Sequence, residues 1–115
     1  MIEKRHWEQE KARIANIQPI DDEILQLDIG GKQDISIRRS TLCHVQGSAL
    51  EAMFSGRHRL QKKDDRYFID RNPFAFNLMV DFIRNNGELH EQQENNYKML
   101  KMELDFWAID ENLLK

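Results

Sequence analysis

Cys43 and His44 stand side by side, and a thiol next to an imidazole is the pairing from which a thiolate nucleophile could be made. On a helix, neighbouring side chains diverge by about 100°, so these two do not pair with each other. A lone cysteine is then read more simply as a small packed apolar group. The remaining nucleophiles and bases are Ser36, Ser40, Ser48 and Ser55 with His6, His58 and His90, and none lies in a hydrolase motif. Zinc needs several nitrogen or sulfur ligands, and the chain has neither a C-x-x-C nor an H-x-x-x-H spacing. The carboxylates Asp21-Asp22-Glu23 and Asp64-Asp65 lack the calcium-loop spacing and read as solvated turns. Gly30-Gly31-Lys32 lacks the glycine spacing of a phosphate loop. These residues lead to the expectation of a protein that is not an enzyme and has no metal and no cofactor.

Binding chemistry is the other possibility. Arg57, His58, Arg59, Lys62, Lys63 and Arg66 crowd one stretch against only Asp64 and Asp65. No aromatic residue is interleaved there before Tyr67, so the stacking platform of a single-strand binder is missing. With 20 acidic against 17 basic residues the net charge is −3, and nucleic acid is not an expected partner. Two readings of the basic stretch stand: a solvated loop, or a face turned to an acidic protein or a neighbouring subunit. The single cysteine suits a reducing compartment, so a cytoplasmic location is expected. No signal-like apolar segment and no membrane-length apolar run occurs, and no direct membrane contact is expected.

The elements that position these residues follow from periodicity. At 115 residues, 40% hydrophobic and 32% charged, the chain supports one core and one domain. Residues 1–20 form a charged helix or arm ending near Pro19, and Trp7 and Ile14, seven apart, are too few to establish a coiled-coil seam. Leu25, Leu27 and Ile29 alternate, as do Ile35 and Ile37, with Gly30-Gly31 between them and Lys32-Gln33-Asp34 as a polar tip: a β-hairpin. Ser40-Thr41-Leu42 opens a short helix, and Ser48 with Glu51 makes a capping-box pattern before Leu50, Met53 and Phe54. Gly56 to Arg66 reads as an exposed loop and Tyr67-Phe68-Ile69 as a strand. Asn72 and Pro73 then start a helix whose polar stripe is Asn77, Asp81, Arg84 and Asn85, with the rest apolar, and Asn86-Gly87 ends it. Tyr97, Leu100, Leu104 and Trp107 trace one helical stripe between Glu91 and Ile109, anchored by Phe106 and Trp107. Asp110 caps a last turn with Leu113 and Leu114, still apolar where the chain stops, as expected of an excised domain.

In order, Ile24-Leu25-Gln26-Leu27-Asp28-Ile29-Gly30-Gly31-Lys32, Arg39-Ser40-Thr41-Leu42, Gly47 through Gly56, and Tyr67-Phe68-Ile69-Asp70-Arg71-Asn72-Pro73 resemble the potassium-channel tetramerisation type of BTB/POZ domain. Glu103, Phe106 and Trp107 resemble that family's closing helix. Residues 21–115 would be the domain. Members commonly carry G-G-x-x-F-x-T, so Ile35 and Ile37 here imply a hairpin tip one residue longer. With Cys43 alone, the chain resembles the zinc-free, KCTD-like branch.

The resemblance implies an α/β (α+β) fold, a small sheet with an N-terminal β-hairpin packed against a cluster of short helices. It implies a non-enzymatic homo-oligomerisation module, a homo-tetramer or homo-pentamer closed head to tail through polar faces. Asp28, Ser36, Asp70 and Arg71 match the positions expected to contact a neighbouring subunit, although Asp70 and Arg71 read equally well as braces of the following helix. KCTD-like members also act as adaptors joining a cullin scaffold to ubiquitin-ligase substrates. For that role Met53, Phe54, Arg57, His58 and Arg59 would be the partner-binding residues, the competing reading of Met53 and Phe54 being core. A third reading is the cytoplasmic assembly domain of a voltage-gated potassium channel.

Overall fold

The computed structural model of the chain describes residues 22–56 and 60–114. The charged arm expected over residues 1–20 lies outside the described residues, as do Arg57, His58 and Arg59.

The first two strands, β1 (Ile24–Ile29) and β2 (Lys32–Arg38), form the expected antiparallel hairpin, with Leu25, Leu27, Ile29, Ile35 and Ile37 buried on one face. Its turn is only Gly30-Gly31, at φ +59° and +103°. Two left-handed residues match the right-handed twist of the flanking strands. The extra residue expected in the tip is placed elsewhere. Ile29 faces Lys32 but Leu27 faces Ile35, so Asp28 stands opposite both Gln33 and Asp34 in a bulge, and Lys32-Gln33-Asp34 belong to β2 rather than to the tip.

Two further strands, β3 (Lys62–Lys63) and β4 (Arg66–Ile69), complete a sheet of order β2-β1-β4-β3. Strand β4 runs parallel to β1 and antiparallel to β3. The stretch expected to be plain loop therefore contains a small hairpin. Its turn residues Asp64 and Asp65 both take positive φ, a conformation that Asp tolerates better than most residues.

A parallel β1–β4 pair requires a crossover, which α1 (Arg39–Leu42) and α2 (Ala49–Phe54) supply. Helix α1 begins one residue before the Ser40 cap that the sequence predicts, and Arg38 at its N-cap makes no side-chain capping bond. The capping acceptor comes from a distance: Asp22 Oδ1 takes the Ser40 N–H at 3.0 Å. Helix α2 has the predicted cap. Ser48 Oγ accepts from Glu51 N at 3.0 Å and donates to Val45 O at 2.7 Å, a cap worth about 1 kcal/mol.

Helix α3 (Pro73–Arg84) is entered through Asn72, whose side chain accepts from Ala75 N at 3.1 Å, with Pro73 at the first turn. Phe76, Leu78, Met79, Val80, Phe82 and Ile83 are buried, so this helix is the centre of the core; each such side chain contributes about 1.5–3 kcal/mol. Asn86 takes the left-handed position after it, at φ +55°, and Gly87 N closes back on Phe82 O at 2.9 Å.

The predicted single stripe from Glu91 to Ile109 is two helices, α4 (Glu91–Asn95) and α5 (Tyr97–Phe106), broken at Asn96. Leu100, Leu104 and Trp107 are buried as expected, but Tyr97 is 40% exposed. Its hydroxyl bonds Glu111 Oε1 at 3.1 Å on the surface. Phe106 is 54% exposed and does not anchor the helix. The core position passes instead to Glu103. Asp110 Oδ1 caps the closing 3-10 turn, Glu111–Leu114, by accepting Asn112 N at 2.9 Å.

Candidate subunit interface

With Leu25, Leu27 and Ile29 turned to the helices, strand alternation sends Gln26 and Asp28 to the other face of the sheet. Cross-strand register puts Ser36 of β2 beside Gln26, and Phe68 of β4 beside Asp28. The result is a polar face opposite the core. Ser36 Oγ donates to Gln26 Oε1 at 2.8 Å, and both residues are exposed. Arg66 lies along the same face and gives its Nε–H to Gln33 O at 3.0 Å. Lys63 Nζ stands 5.6 Å from the centre of the Phe68 ring.

Asp28 belongs to this face but is fully buried. Its carboxylate accepts from Gly31 N at 2.8 Å and from Gln33 Nε2 at 3.1 Å, tying the turn to the bulge. The bulge in β2 thus lets the Gln33 side chain fold over Asp28. Gly30 sits at the same end, donating to Ile69 O at 2.8 Å. A Cβ there would overlap the Arg71 carbonyl oxygen, so only glycine lets the hairpin turn approach the β4–α3 junction.

Asp70 is exposed beside that turn, but Arg71 leads away from the sheet. Its guanidinium donates to Glu103 through Nη2–Oε1 at 2.7 Å and Nε–Oε2 at 3.2 Å, and lies 3.7 Å above the Phe106 ring. Trp107 Nε1 adds a third bond to Glu103, at 3.0 Å. Glu103 is 2% exposed. The hydrogen bonds to Glu103 raise the Arg71 guanidinium above its ordinary value, against the effect of partial burial and with the charge attraction adding to them. Of the four residues singled out as subunit contacts, the fold brings Asp28 and Ser36 onto the sheet face, sets Asp70 at its end, and commits Arg71 to α5.

The partner-binding set fares differently. Phe54 is fully buried, edge-on to Tyr67 with ring centres 6.2 Å apart, and Met53 is half-buried against the core. Phe54 is therefore a core residue rather than a surface hot spot, because its helical spacing from Leu50 turns it inward. Cys43 is half-buried, with Sγ 3.9 Å from the Glu51 carbonyl oxygen, while His44 is exposed. Among the described residues, no three His, Cys, Asp or Glu side chains are grouped so as to hold a metal ion. No helix among them is long and apolar enough to cross a membrane.

Sequence reasoning missed the roles of Gln33 and Arg66, which only the bulge explains. Glu103 had a readable signal: it falls between Leu100, Leu104 and Trp107 on the buried stripe, where an acid needs partners.

The profile of the BTB/POZ domain matches residues 25–115. The chain belongs to this family. Its domain is of the potassium-channel tetramerisation type. The chain is 31% identical over 104 residues to the delayed-rectifier potassium channel regulatory subunit KCNS3 of Mus musculus, an alignment covering 79% of this chain and 20% of that protein. It is 32% identical over 89 residues to the potassium channel regulatory protein of Bos taurus, covering 76% of this chain and 33% of the relative. The chain thus spans a fifth to a third of the length of these relatives. This BTB/POZ domain is a protein-interaction module of the oligomerising kind. The four-stranded sheet with its short helices fits that family's mixed α/β architecture.

Proposed function

We propose that this BTB/POZ domain assembles copies of itself head to tail into a closed ring of four or five, with no bond-making step of its own. The open polar face of the sheet supports the reading best. Gln26 and Ser36 stand exposed there, opposite the core, with Arg66 reaching across and Asp70 at the end. Polar pairs of this kind fix register between subunits more than they add net energy. Head-to-tail contacts close only when the rotation per subunit divides the circle. The test is light scattering on the purified chain with and without Ser36→Arg. The expected result is a four- or fivefold mass that collapses to the monomer in the variant, with far-ultraviolet circular dichroism unchanged. A strictly monomeric parent chain would overturn the proposal.

A second reading is favoured by the relatives, both of which are named as potassium channel regulatory proteins. In it, the same face joins a tetramerisation domain of a channel subunit on the cytoplasmic side of a membrane. Co-purification with such a domain, lost on Ser36→Arg, supports it. A cullin adaptor role draws no support from Phe54, whose side chain is inside the core. Calorimetry against a cullin N-terminal region, with no heat evolved, would dismiss that role.

A further inference from the structure

Helix α5 carries a second surface that the polar sheet face does not use. Met99, Met102 and Phe106 lie at i, i+3 and i+7 and are 38%, 63% and 54% exposed. At about 100° per residue, Met102 stands opposite the buried pair Leu100 and Leu104. On one flank of Met102, about 40–60° round the helix, come Lys98 and Asp105; on the other flank, by a similar angle, come Met99 and Phe106. Along the axis, Lys98 and Met99 sit about 5–6 Å before Met102, and Asp105 and Phe106 about as far after it.

This arrangement is complementary to itself. A two-fold axis through Met102 that sets a second α5 antiparallel to the first keeps each flank facing its own kind and reverses the order along the axis. Lys98 then meets Asp105 of the second copy, Met99 meets Phe106, and Met102 meets Met102, each flanking pair occurring twice. Among the described residues Lys98 has no ion-pair partner, and Asp105 has only a 4.0 Å contact with Lys101. Beside the stripe a groove of about 790 Å³ runs along the Asp70–Pro73 segment, with Met99 and Met102 on its wall. Methionine's flexible, polarizable side chain suits it to filling such a groove.

We propose that α5 is the seat of a two-fold contact between copies of this chain, distinct from the head-to-tail contact and pairing either two chains or two rings. The surface does not rest on the ring proposal. The experiment is sedimentation equilibrium on the whole chain. Met102→Glu is expected to halve the mass of the largest assembly, whereas loss of the head-to-tail contact divides it by four or five, so the two failures read differently. Lys98→Asp alone and Asp105→Lys alone are each expected to weaken pairing about tenfold, by placing like charges opposite each other. The double variant exchanges the two charges and is expected to restore it. All three positions are at the surface, and circular dichroism verifies the fold of each variant. A mass unchanged by Met102→Glu overturns the proposal. So do single variants that weaken pairing without rescue in the double variant, a result that would give the stripe to a different partner.

Discussion

Glu103 is a carboxylate enclosed by the core and held by three donors, two from Arg71 and one from Trp107. Arg71 is only partly buried while Glu103 is almost fully so, and removing the arginine leaves a buried carboxylate without its charge partner; Arg71→Met is therefore expected to cost about 3–5 kcal/mol in urea unfolding. Pairing it with Glu103→Leu should recover most of that loss, because the orphaned charge goes too. Additive losses in the double variant would show that the two side chains act independently. Asp22 is a residue whose effect depends on pH. Slight burial alone would raise its carboxyl, but bonds from the Ser40 backbone and hydroxyl, with Arg38 nearby, outweigh this and hold it below the ordinary value. A depressed folded-state pKa means that the stabilisation is complete above the unfolded value and fades as pH falls below about 4. Asp22→Asn should therefore flatten the acid limb of a pH-stability curve and leave its shape near neutrality unchanged. An identical acid limb in the variant would deny Asp22 this part.

Among the elements, the β1–β2 turn is the most tightly constrained. Gly30 combines a φ of +59° with close approach to the Arg71 carbonyl oxygen. These two demands separate experimentally. Asparagine accepts a left-handed backbone but still carries a Cβ. Gly30→Asn and Gly30→Ala are therefore both expected to lose about 2 kcal/mol or more in thermal unfolding, since the overlap remains in each. Full stability of the asparagine variant would show that the backbone angle alone matters. The bulge opposite Asp28 follows from the same crowding, because the hairpin absorbs its extra residue inside β2 while the glycine turn stays docked.

For the whole molecule, the two candidate contacts differ in chemistry and should separate with salt. The sheet face is polar and partly charged, whereas the α5 stripe is centred on methionine and phenylalanine. Screening shortens from about 10 Å at 0.1 M salt to about 3 Å at 1 M and weakens exposed charge contacts most. Raising salt over that range is expected to reduce the ring mass while any Met102-centred pairing persists. Mass measured across a salt series checks this, and a ring indifferent to salt would point to apolar contacts instead.

Much of this was already present in the order of residues. Alternation with a glycine pair specifies a hairpin, Asn72-Pro73 a helix start, and Ser48 with Glu51 a cap, because each depends on neighbours within a few positions. The family motifs were legible for the same reason. The outcome at longer range depended on the fold. Phe106 and Trp107 are adjacent and both aromatic, yet one is buried and the other lies under Arg71, since the break at Asn96 sets which way α5 faces. Arg71 reads as a surface contact until Glu103, 32 residues away, claims it. Local pattern determines which element forms; which side chains meet, and which face stays open, is decided by packing between segments that are distant in sequence.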